Sequence, residues 1–570
     1  MSASAATRPD LSRALELHRA GRLADAEKLY ASYLAAHPDD AVALNNGGVA
    51  AMQSGDRALA ISRFQRLVAR SPEHAEGLNN LGYALTRSGR SEEALRHLER
   101  AVAIRPDYAQ AHNNLGIAHE DLLHRDKAIR AFERAVTLAP AYADAAANLG
   151  DALNRDGETA RARAVLEPAL ASRPAHGGLR AALVATEALE GRLDEALRTL
   201  EGMGASASHE PIFWATLGTL RNWAGDAAGS EGAFRRALAL QPHDRRSRFG
   251  LASSLLARGL FEEGWTAFEA RDEGCLGGEA RFPGIARWDG RTIDGTLLLI
   301  GEQGLGDVVQ FARFIPEARR RVHRLIVLLD GGRQSLAPLL ATLSGVDEVL
   351  TDEAALAGLS EQPLAHASLL SLPYLLGLRL EDLPGAIPYL FAPEARRAVW
   401  RPRLDAVPRP RIGIAWAAYA RRDMAYITRQ KSIPLALLAP AISASTASFV
   451  SLQLGPSETV GRHEALAPRI ADFTTDIGDF GDTAAIIAEL DLVISTDTSV
   501  AHVAAALGKP VWMLDRYNTC WRWRLAPDSS PWYPTIHIFR QKSFGDWSEP
   551  LSRLAEALRA LEAPRAADDR

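Results

Sequence analysis

Apolar and polar positions follow two different patterns in the two halves of the chain. In the first half, apolar residues and alanines recur three and four residues apart, which predicts amphipathic helices arranged in pairs. From Thr296 onward, short apolar runs alternate with helical stretches, as in parallel sheets covered by helices. The pattern therefore predicts an α + α/β fold, with an all-α part followed by an α/β part.

The helical half repeats itself every 34 residues, as in Ala75–Tyr108 and Ala109–Tyr142. Small residues fall at fixed positions of the repeat, which allows two helices to approach closely: Gly82, Gly116, Ala60, Ala94, Ala128 and Ala162. A proline also ends each second helix, at Pro38, Pro72, Pro106, Pro140 and Pro174. This pattern resembles tetratricopeptide repeats, which implies an all-α superhelix over residues 7–272 with a concave face that holds a protein.

Asparagine recurs at position six of successive repeats, at Asn46, Asn80, Asn114 and Asn148. We expect these side chains to line the concave face, where each amide offers one acceptor and two donors to an extended peptide. They are candidate acceptor-binding residues; the alternative is that they belong only to the repeat architecture. A last helical pair, Arg245 to Arg271, carries an exposed-looking FEEGWTAFEARD and is predicted to cap the array.

Glycine and proline clusters mark the boundaries of the second half. A glycine-rich stretch predicts a linker over residues 273–292, and a proline-rich stretch separates two Rossmann-like halves, 293–400 and 409–563. Their strands are predicted at Thr296–Ile300, Arg324–Leu329, Ile412–Trp416, Phe449–Leu452, Leu492–Ser495 and Pro510–Leu514. Two such sheets favour a ligand in the cleft at the carboxyl ends of their strands.

The first half opens with a strand, the glycine-rich turn GEQGLGD and an amphipathic helix. The glycine spacing fits neither a dinucleotide fingerprint nor a P-loop. The turn places Asp307 at the start of a helix that faces the cleft. From residue chemistry alone, Asp307 is either a functional carboxylate or an ordinary helix cap.

The second half contains the motif STDTSVAHVAAALGKPVW, in which a buried strand ends, a polar turn follows and a helix begins near Val500. Asp497, Thr498 and Ser499 are able to cap this helix, whose free N–H groups form an anion site. His502 lies one turn further on and reaches the same point. The alternative is an ordinary cap beside a half-buried histidine.

The order of GEQGLGD, KSIPL, STDTSVAHVAAALGKPVW and WRWRLAPDSSPWYP resembles the heptosyltransferase-like family 9 glycosyltransferases, and more closely their bacterial relatives that are fused to tetratricopeptide repeats. Some of those relatives are thought to modify flagellin. The organisation also resembles O-GlcNAc transferase. The resemblance implies a GT-B fold, Asp307 as the general base, and Asp497, Thr498 and His502 at the donor. Ser499, at the same helix start, is a further donor-binding candidate. The resemblance also places Lys431 near the donor phosphates.

The expected chemistry is an inverting transfer that needs a base at the acceptor and positive charge at the leaving diphosphate. No Asp-x-Asp pair follows Gly290, so we expect a metal-independent reaction in which Lys431, helix N-termini and Arg522 or Arg524 supply the charge. The aromatic residues Trp521, Trp523, Trp532 and Tyr533 either stack on a nucleobase or pack in the core, and core packing is the favoured interpretation.

Composition narrows the class of protein without naming a ligand. A net charge of -5 gives no basic excess for nucleic acid, and no segment resembles a secretory signal or a membrane span. Cys275 and Cys520 fit no disulfide framework or zinc site. We therefore expect a cytoplasmic glycosyltransferase without a cofactor, which uses a nucleotide sugar and a protein acceptor such as flagellin. The alternatives are a lipid or polysaccharide acceptor, or an inactive nucleotide-binding scaffold.

Overall fold

The computed structural model describes residues 11–122, 124–242, 244–271, 281–282, 284–359, 363–383, 385–418, 430–455, 460 and 466–562. The chain divides into two compact units, Met1–Glu190 and Gly191–Arg570. Cys275 and nine of the twenty residues of the predicted linker 273–292 lie outside the described residues. The predicted domain bounds at 292, 293, 400 and 409 stay predictions, and those at 7, 272, 273 and 563 lie outside the described residues.

The first unit is all-helical. Its helices are α1 (Leu11–Arg19), α2 (Leu23–Ala36), α3 (Ala41–Ser54), α4 (Arg57–Arg70), α5 (Ala75–Thr86), α6 (Ser91–Ile104), α7 (Ala109–Asp121), α8 (Arg125–Leu138), α9 (Ala143–Asp156), α10 (Thr159–Ser172) and α11 (Gly177–Leu189). The helices pair as the repeat predicts. At the small residues of the repeat, the paired helices lie too close together for a larger side chain. A Cβ atom on Gly82 would lie 2.4 Å from Leu98 Cγ, and one on Gly116 would lie 2.5 Å from Phe132 Cε1.

The second unit begins with five further helices. They are α12 (Leu193–Ala207), α13 (Pro211–Trp223), α14 (Ala227–Leu240), α15 (Arg245–Ala257) and α16 (Phe261–Phe268). The expectation of an exposed α16 is wrong, because Phe261, Trp265 and Phe268 are buried. The ring centroid of Trp265 lies 5.9 Å from that of Phe311 and 5.6 Å from that of Trp521. The last helix of the array therefore packs into the core of the α/β part.

The first sheet has the strand order β1-β5-β2-β3-β4, and all its strands are parallel. They are β1 (Ala286–Arg287), β2 (Ile293–Ile300), β3 (Val322–Leu328), β4 (Glu348–Leu350) and β5 (Ala365–Ser368). The associated helices are α17 (Leu305–Ala312), α18 (Ile315–Arg319), α19 (Ala337–Leu340), α20 (Leu372–Leu376) and α21 (Glu394–Asp405). β2 is buried over its last six residues, and the chain leaves it directly into the glycine-rich turn and α17.

The second sheet has the order β11-β10-β9-β6-β7-β8 and is also parallel. Its strands are β6 (Arg411–Ala415), β7 (Ser448–Ser451), β8 (Ile470–Ala471), β9 (Leu492–Thr496), β10 (Val511–Asp515) and β11 (Ile536–Arg540). Its helices are α22 (Leu435–Ala444), α23 (Phe480–Ala488), α24 (Ser499–Ala506) and α25 (Ser548–Glu562). An all-helical part followed by two parallel α/β sheets confirms the predicted fold class. No helix in the described part of the chain is long and apolar enough to cross a membrane.

Candidate active site

Asp307 lies in the first turn of α17, immediately after the glycine-rich turn that follows β2. Its Oδ2 accepts the backbone N–H of Gly304 at 2.9 Å, so it does cap the helix. Its Oδ1 also accepts a hydrogen bond from the guanidinium of Arg522, in the second α/β half. Asp307 is therefore both a cap and one partner of an ion pair that joins the two halves.

The start of α17 touches α24. A Cβ atom on Gly306 would lie 2.8 Å from Cδ2 of His502, a distance that real contacts do not reach. The glycine before Asp307 is thus required by close packing rather than by backbone conformation. This contact brings the candidate base to the same edge of the cleft as the candidate donor site.

Arg522 lies on a short 3-10 turn, Trp521–Trp523, and only 12% of its side chain is exposed. Its Nε donates to Oε1 of Gln310, and its guanidinium carbon lies 4.5 Å from the centroid of the Trp521 ring. Burial alone would lower the pKa of Arg522, but the adjacent Asp307 carboxylate raises it above its ordinary value. The side chain therefore carries a permanent positive charge at the junction of the halves.

Asp497 lies directly after β9 and is 5% exposed. Its Oδ2 is 2.7 Å from Nζ of Lys431, and its Oδ1 accepts the indole N–H of Trp523 at 3.1 Å. Burial would raise the pKa of the carboxyl, but Lys431 and then His502 hold it well below its usual range. Asp497 is thus an ionised partner of Lys431. The expectation that it caps the following helix is wrong, because both oxygens face these side chains.

Thr498 and Ser499 form the start of α24 and are half-buried. Thr498 occupies the N-cap position without accepting a helix N–H, and its hydroxyl lies 3.0 Å from that of Ser495. Ser499 is the first helical residue. The first-turn N–H groups of α24 therefore have no side-chain cap from Thr498, and Asp497 immediately precedes this N-cap residue.

His502 is buried in the second turn of α24. Its Nδ1 lies 3.1 Å from the hydroxyl of Tyr533, and its Nε2 lies 3.9 Å from Oδ1 of Asp497. Burial lowers the pKa of His502 to about 4, so the imidazole is neutral near pH 7. The Tyr533 hydroxyl lies 3.2 Å from that of Tyr389, which donates to the carbonyl of Val309 at 2.9 Å. A chain of hydrogen bonds thus connects α24 to α17.

The structure places Lys431, Asp497 and His502 in one cluster, with Asp307 adjacent to His502 through the α17 contact. Within the described part of the chain, no group of three or more His, Cys, Asp or Glu side chains is arranged to hold a metal ion. The cluster is instead one cation held by one carboxylate, beside helix N–H groups. This arrangement is suited to binding an anion.

A pocket that the sequence did not reveal lies at the carboxyl ends of β7 and β8 and has a volume of about 200 Å³. It is lined by Ser451, Gln453, Leu454, Gly455, Val460, Asp472, Thr474 and Thr475. Oε1 of Gln453 accepts the N–H groups of Trp416 and Ala417, which fixes the loop after β6 against the end of β7. The pocket thus offers both polar and apolar groups at the carboxyl edge of the second sheet.

The aromatic residues between Trp521 and Tyr533 belong to the hydrophobic core. Trp523, Trp532 and Tyr533 are fully buried and Trp521 is 6% exposed, which confirms the packing interpretation. The centroids of Trp521 and Trp532 are 5.5 Å apart with their planes at 69°, and both rings pack on α16. These rings are too enclosed to stack on a nucleobase, so they act by holding the Arg522 turn in place.

The four position-six asparagines are half-buried, and three of them bridge consecutive repeats. Each of the three donates from Nδ2 to the Oδ1 of a position-five asparagine one repeat earlier at 2.9 Å: Asn80 to Asn45, Asn114 to Asn79 and Asn148 to Asn113. Asn46 instead donates to the carbonyl of Val42 in its own helix. One donor of each bridging amide is therefore used between repeats.

Comparisons with known protein families agree with both halves of the chain. Tetratricopeptide repeat models match residues 11–56, 45–109 and 224–271, and a second model of the same repeat matches 109–142. The glycosyltransferase family 9 (heptosyltransferase) model matches residues 468–544, which include Asp497, His502 and Arg522. The chain thus combines tetratricopeptide repeats with a family 9 glycosyltransferase domain.

Individual relatives show how far this likeness extends. The chain is 28% identical over 442 residues to Protein FlbA of Caulobacter vibrioides, covering 65% of this chain and 71% of that protein. A tetratricopeptide repeat protein from Parabacteroides merdae is 14% identical with a TM-score of 0.38, over 43% of this chain and 97% of that one. MamA from Desulfovibrio magneticus is 24% identical with a TM-score of 0.27, over 30% of this chain and 96% of its own.

Proposed function

We propose that the protein transfers a sugar from a nucleotide sugar to a protein held by its repeats, by an inverting, metal-independent reaction in a GT-B arrangement. One observation carries this proposal. Asp307 from the first α/β half and the Lys431–Asp497 pair from the second lie on either side of the contact between α17 and α24. A base and an anion site thus meet at one cleft, as transfer to a hydroxyl group requires.

Asp307 acts as the general base in this reaction. It takes the proton of the acceptor hydroxyl as the oxygen attacks the anomeric carbon from the face opposite the nucleotide. The new carbon–oxygen bond forms while the bond from the anomeric carbon to the diphosphate breaks, and its electron pair leaves on the phosphate oxygen. The products are the glycoside, a nucleoside diphosphate and protonated Asp307, which returns its proton to solvent.

The donor occupies the second half. Lys431 and the first-turn N–H groups of α24, with Thr498 and Ser499, bind the phosphates. Asp497 keeps Lys431 in place, and neutral His502 offers Nε2 toward the same region. The pocket beside Gln453 takes the nucleoside, since it lies at the carboxyl edge of the same sheet.

The repeats supply the acceptor. A tetratricopeptide array offers an extended surface for a peptide, and a cytoplasmic protein such as flagellin is the acceptor class that we propose. Asn46, Asn80, Asn114 and Asn148 take part through the polar groups that the inter-repeat bonds leave available. A lipid or polysaccharide acceptor and an inactive nucleotide-binding scaffold are the competing functions.

The test is release of nucleoside diphosphate from a panel of nucleotide sugars by the full chain, with and without candidate protein acceptors. We expect slow release with one donor and faster release when the correct protein is added. Intact-mass analysis of flagellin and other abundant proteins, from cells with and without the gene, identifies the acceptor. If only a lipid or a polysaccharide stimulates release, that molecule and not a protein is the acceptor. If no nucleotide sugar gives release, the inactive scaffold is favoured.

A further inference from the structure

Arg522 joins the candidate base to the candidate donor site. Its own guanidinium contacts Asp307, whereas the next residue, Trp523, donates to Asp497 and lies with its ring centroid 5.4 Å from that of His502. The positive charge of Arg522 is therefore located between the position of the acceptor hydroxyl and the position of the donor phosphates. This interpretation of the location of Arg522 rests on the proposed function.

We propose that Arg522 is an exchangeable counter-ion, which pairs with Asp307 in the empty cleft and moves to the diphosphate of the donor when a nucleotide sugar binds. The exchange releases Asp307 to act as the base. The ligand that Arg522 recognises is thus the diphosphate group of a nucleoside diphosphate or of its sugar ester.

The hydrogen-bonding capacity of Arg522 permits this exchange. A guanidinium carries five N–H donors in a planar fork that matches phosphate oxygens. Among the described residues, Nε is bound to Gln310, Nη2 to Asp307, and Nη1 contacts the weak acceptor Cys520 Sγ at 3.9 Å. In this part of the chain, N–H groups on both terminal nitrogens remain for a phosphate, and the bond from Nε to Gln310 anchors the guanidinium while its terminal nitrogens change partner.

The two ion pairs of the cleft differ in how readily they can separate. Asp497 is 6% exposed in its side chain, so loss of Lys431 would leave a buried charge without its cation, which is costly. The Asp307 side chain is 22% exposed, and Oδ2 keeps the N–H of Gly304 when Arg522 departs. The Arg522–Asp307 pair is therefore the one that can open when a competing anion arrives.

The exchange makes the reaction ordered. Before donor binds, Oδ1 of Asp307 is engaged by Arg522 and is poorly placed to take a proton from an acceptor. The base thus becomes active only when the sugar to be transferred is present, and departure of the nucleoside diphosphate restores the original pair.

The test measures diphosphate affinity in a double-mutant cycle on the full chain. Calorimetry with ADP, GDP and UDP selects the probe that binds the native protein most tightly. Asp307→Asn removes the competitor for Arg522, so we expect the probe to bind about tenfold more tightly. Arg522→Gln is expected to weaken binding about tenfold, and Asp307→Asn should then bring no further tightening in the Arg522→Gln protein.

The cycle separates exchange from simple repulsion between Asp307 and the phosphates. Equal tightening by Asp307→Asn with arginine or glutamine at position 522 would show repulsion alone and overturn the proposal. Unchanged affinity in every variant would show that Arg522 only holds Asp307. No binding of any probe to the native protein would defeat the proposed function itself.

Two further variants distinguish loss of the guanidinium from misfolding. Arg522→Lys keeps the charge and replaces Gln if the glutamine variant does not fold; it should bind the probe less tightly than arginine because the fork is lost. Arg411→Lys is the matched control, because Arg411 is also buried and paired with an aspartate, Asp405, but lies at the amino end of β6. We expect Arg411→Lys to leave probe affinity unchanged, and an equal loss there would attribute the effect of Arg522→Lys to general disturbance of the fold.

Discussion

Nζ of Lys431 lies 2.7 Å from Oδ2 of Asp497. The carboxylate also accepts the indole N–H of Trp523, so it holds the lysine from a fixed position at the end of β9. The charge of Lys431 is balanced before any ligand enters. A donor phosphate would therefore add to an existing pair rather than meet an isolated cation.

Lys431→Met should destabilise the second unit, because it leaves the buried Asp497 carboxylate without its cation. We expect a loss of about 3 kcal/mol in the free energy of unfolding, near the lower end for broken buried pairs since Lys431 is partly exposed. All eleven tryptophans lie between Trp214 and Trp547, so urea unfolding followed by tryptophan fluorescence reports this unit. The double variant Lys431→Met with Asp497→Asn should recover part of the loss, and no recovery would contradict the pairing.

Asp307→Asn should lower turnover by about 10²–10⁴ if Asp307 is the base. Asparagine still accepts the N–H of Gly304, so the helix cap remains while the basic charge is lost. The measurement is the rate of glycoside formation at saturating donor. Asp352→Asn is the control, because Asp352 also caps a helical turn, by accepting the N–H of Ala354, and has no part in the proposed reaction. Normal turnover in a folded Asp307→Asn protein would leave Asp307 as a cap alone.

The free energy of unfolding should fall as the pH is lowered, because His502 is neutral in the folded protein. Its pKa is lowered from 6.5 to about 4 by burial, so the unfolded chain takes up a proton first as pH falls. Between pH 6.5 and 4 the stabilising contribution of the neutral imidazole is lost, at up to about 1.4 kcal/mol per pH unit. Urea unfolding of His502→Gln should show a smaller decline over this window than the native protein. His537→Gln, at an exposed histidine of β11, should decline as the native protein does.

Asn114→Ala should destabilise the repeats more than Asn46→Ala. Removing the Asn114 amide leaves Oδ1 of the buried Asn79 without the 2.9 Å bond, which costs about 1–3 kcal/mol. Among the described residues, Asn46 bonds within its own helix, so its removal should cost less. Hydrogen exchange of α3, α5 and α7, read by mass spectrometry, measures the local opening free energy around each substitution. Equal protection in the two variants would show that the inter-repeat bond contributes nothing.

Alanine at all four position-six residues tests the acceptor role separately. We expect weaker glycosylation of the protein acceptor and unchanged hydrolysis of the donor in water, since the amides belong to the first unit and the candidate donor site to the second. If both reactions keep the rates of the native protein, the acceptor docks elsewhere. A loss of both would point to collapse of the repeats, which the exchange measurement detects.

A chelator should leave turnover unchanged if Lys431, Arg522 and helix N–H groups supply the positive charge at the leaving group. The measurement is turnover after EDTA treatment, with and without added Mg²⁺ or Mn²⁺. Strong inhibition that either cation reverses would contradict the metal-independent reaction.

Local pattern predicted the elements that are both long and apolar. The strands around Leu298, Ile326, Ile414, Val450 and Ile494 were all recognisable as buried runs, and each is confirmed. The shorter or more polar strands β1, β4, β5, β8 and β11 were missed. β1 and β8 have only two residues each, and β11 (IHIFR) carries a histidine and an arginine, so their pairing depends on neighbours distant in sequence.

The sequence singled out residues that the structure brings together, but it did not indicate their contacts. Asp307, Asp497 and His502 belong to motifs that follow strands, and the family resemblance added Lys431. The sequence did not reveal the Arg522–Asp307 pair, which joins residues 215 positions apart. Nor did it assign Asp497 to Lys431 rather than to a helix cap. Partners of this kind are set by how the two sheets face each other, which no local pattern encodes.

Helix α16 contributes Phe261, Trp265 and Phe268 to the same interior as Phe311 and Trp532. The boundary between repeats and enzyme in the sequence is therefore not a place where the chain can be cut and rejoined. A transplanted enzyme part that began after residue 272 would expose the surface that these rings cover. Recombination of this part with a foreign repeat array would have to retain α15 and α16. Under the proposed function, a new acceptor specificity would then have to arise in the repeats that precede them.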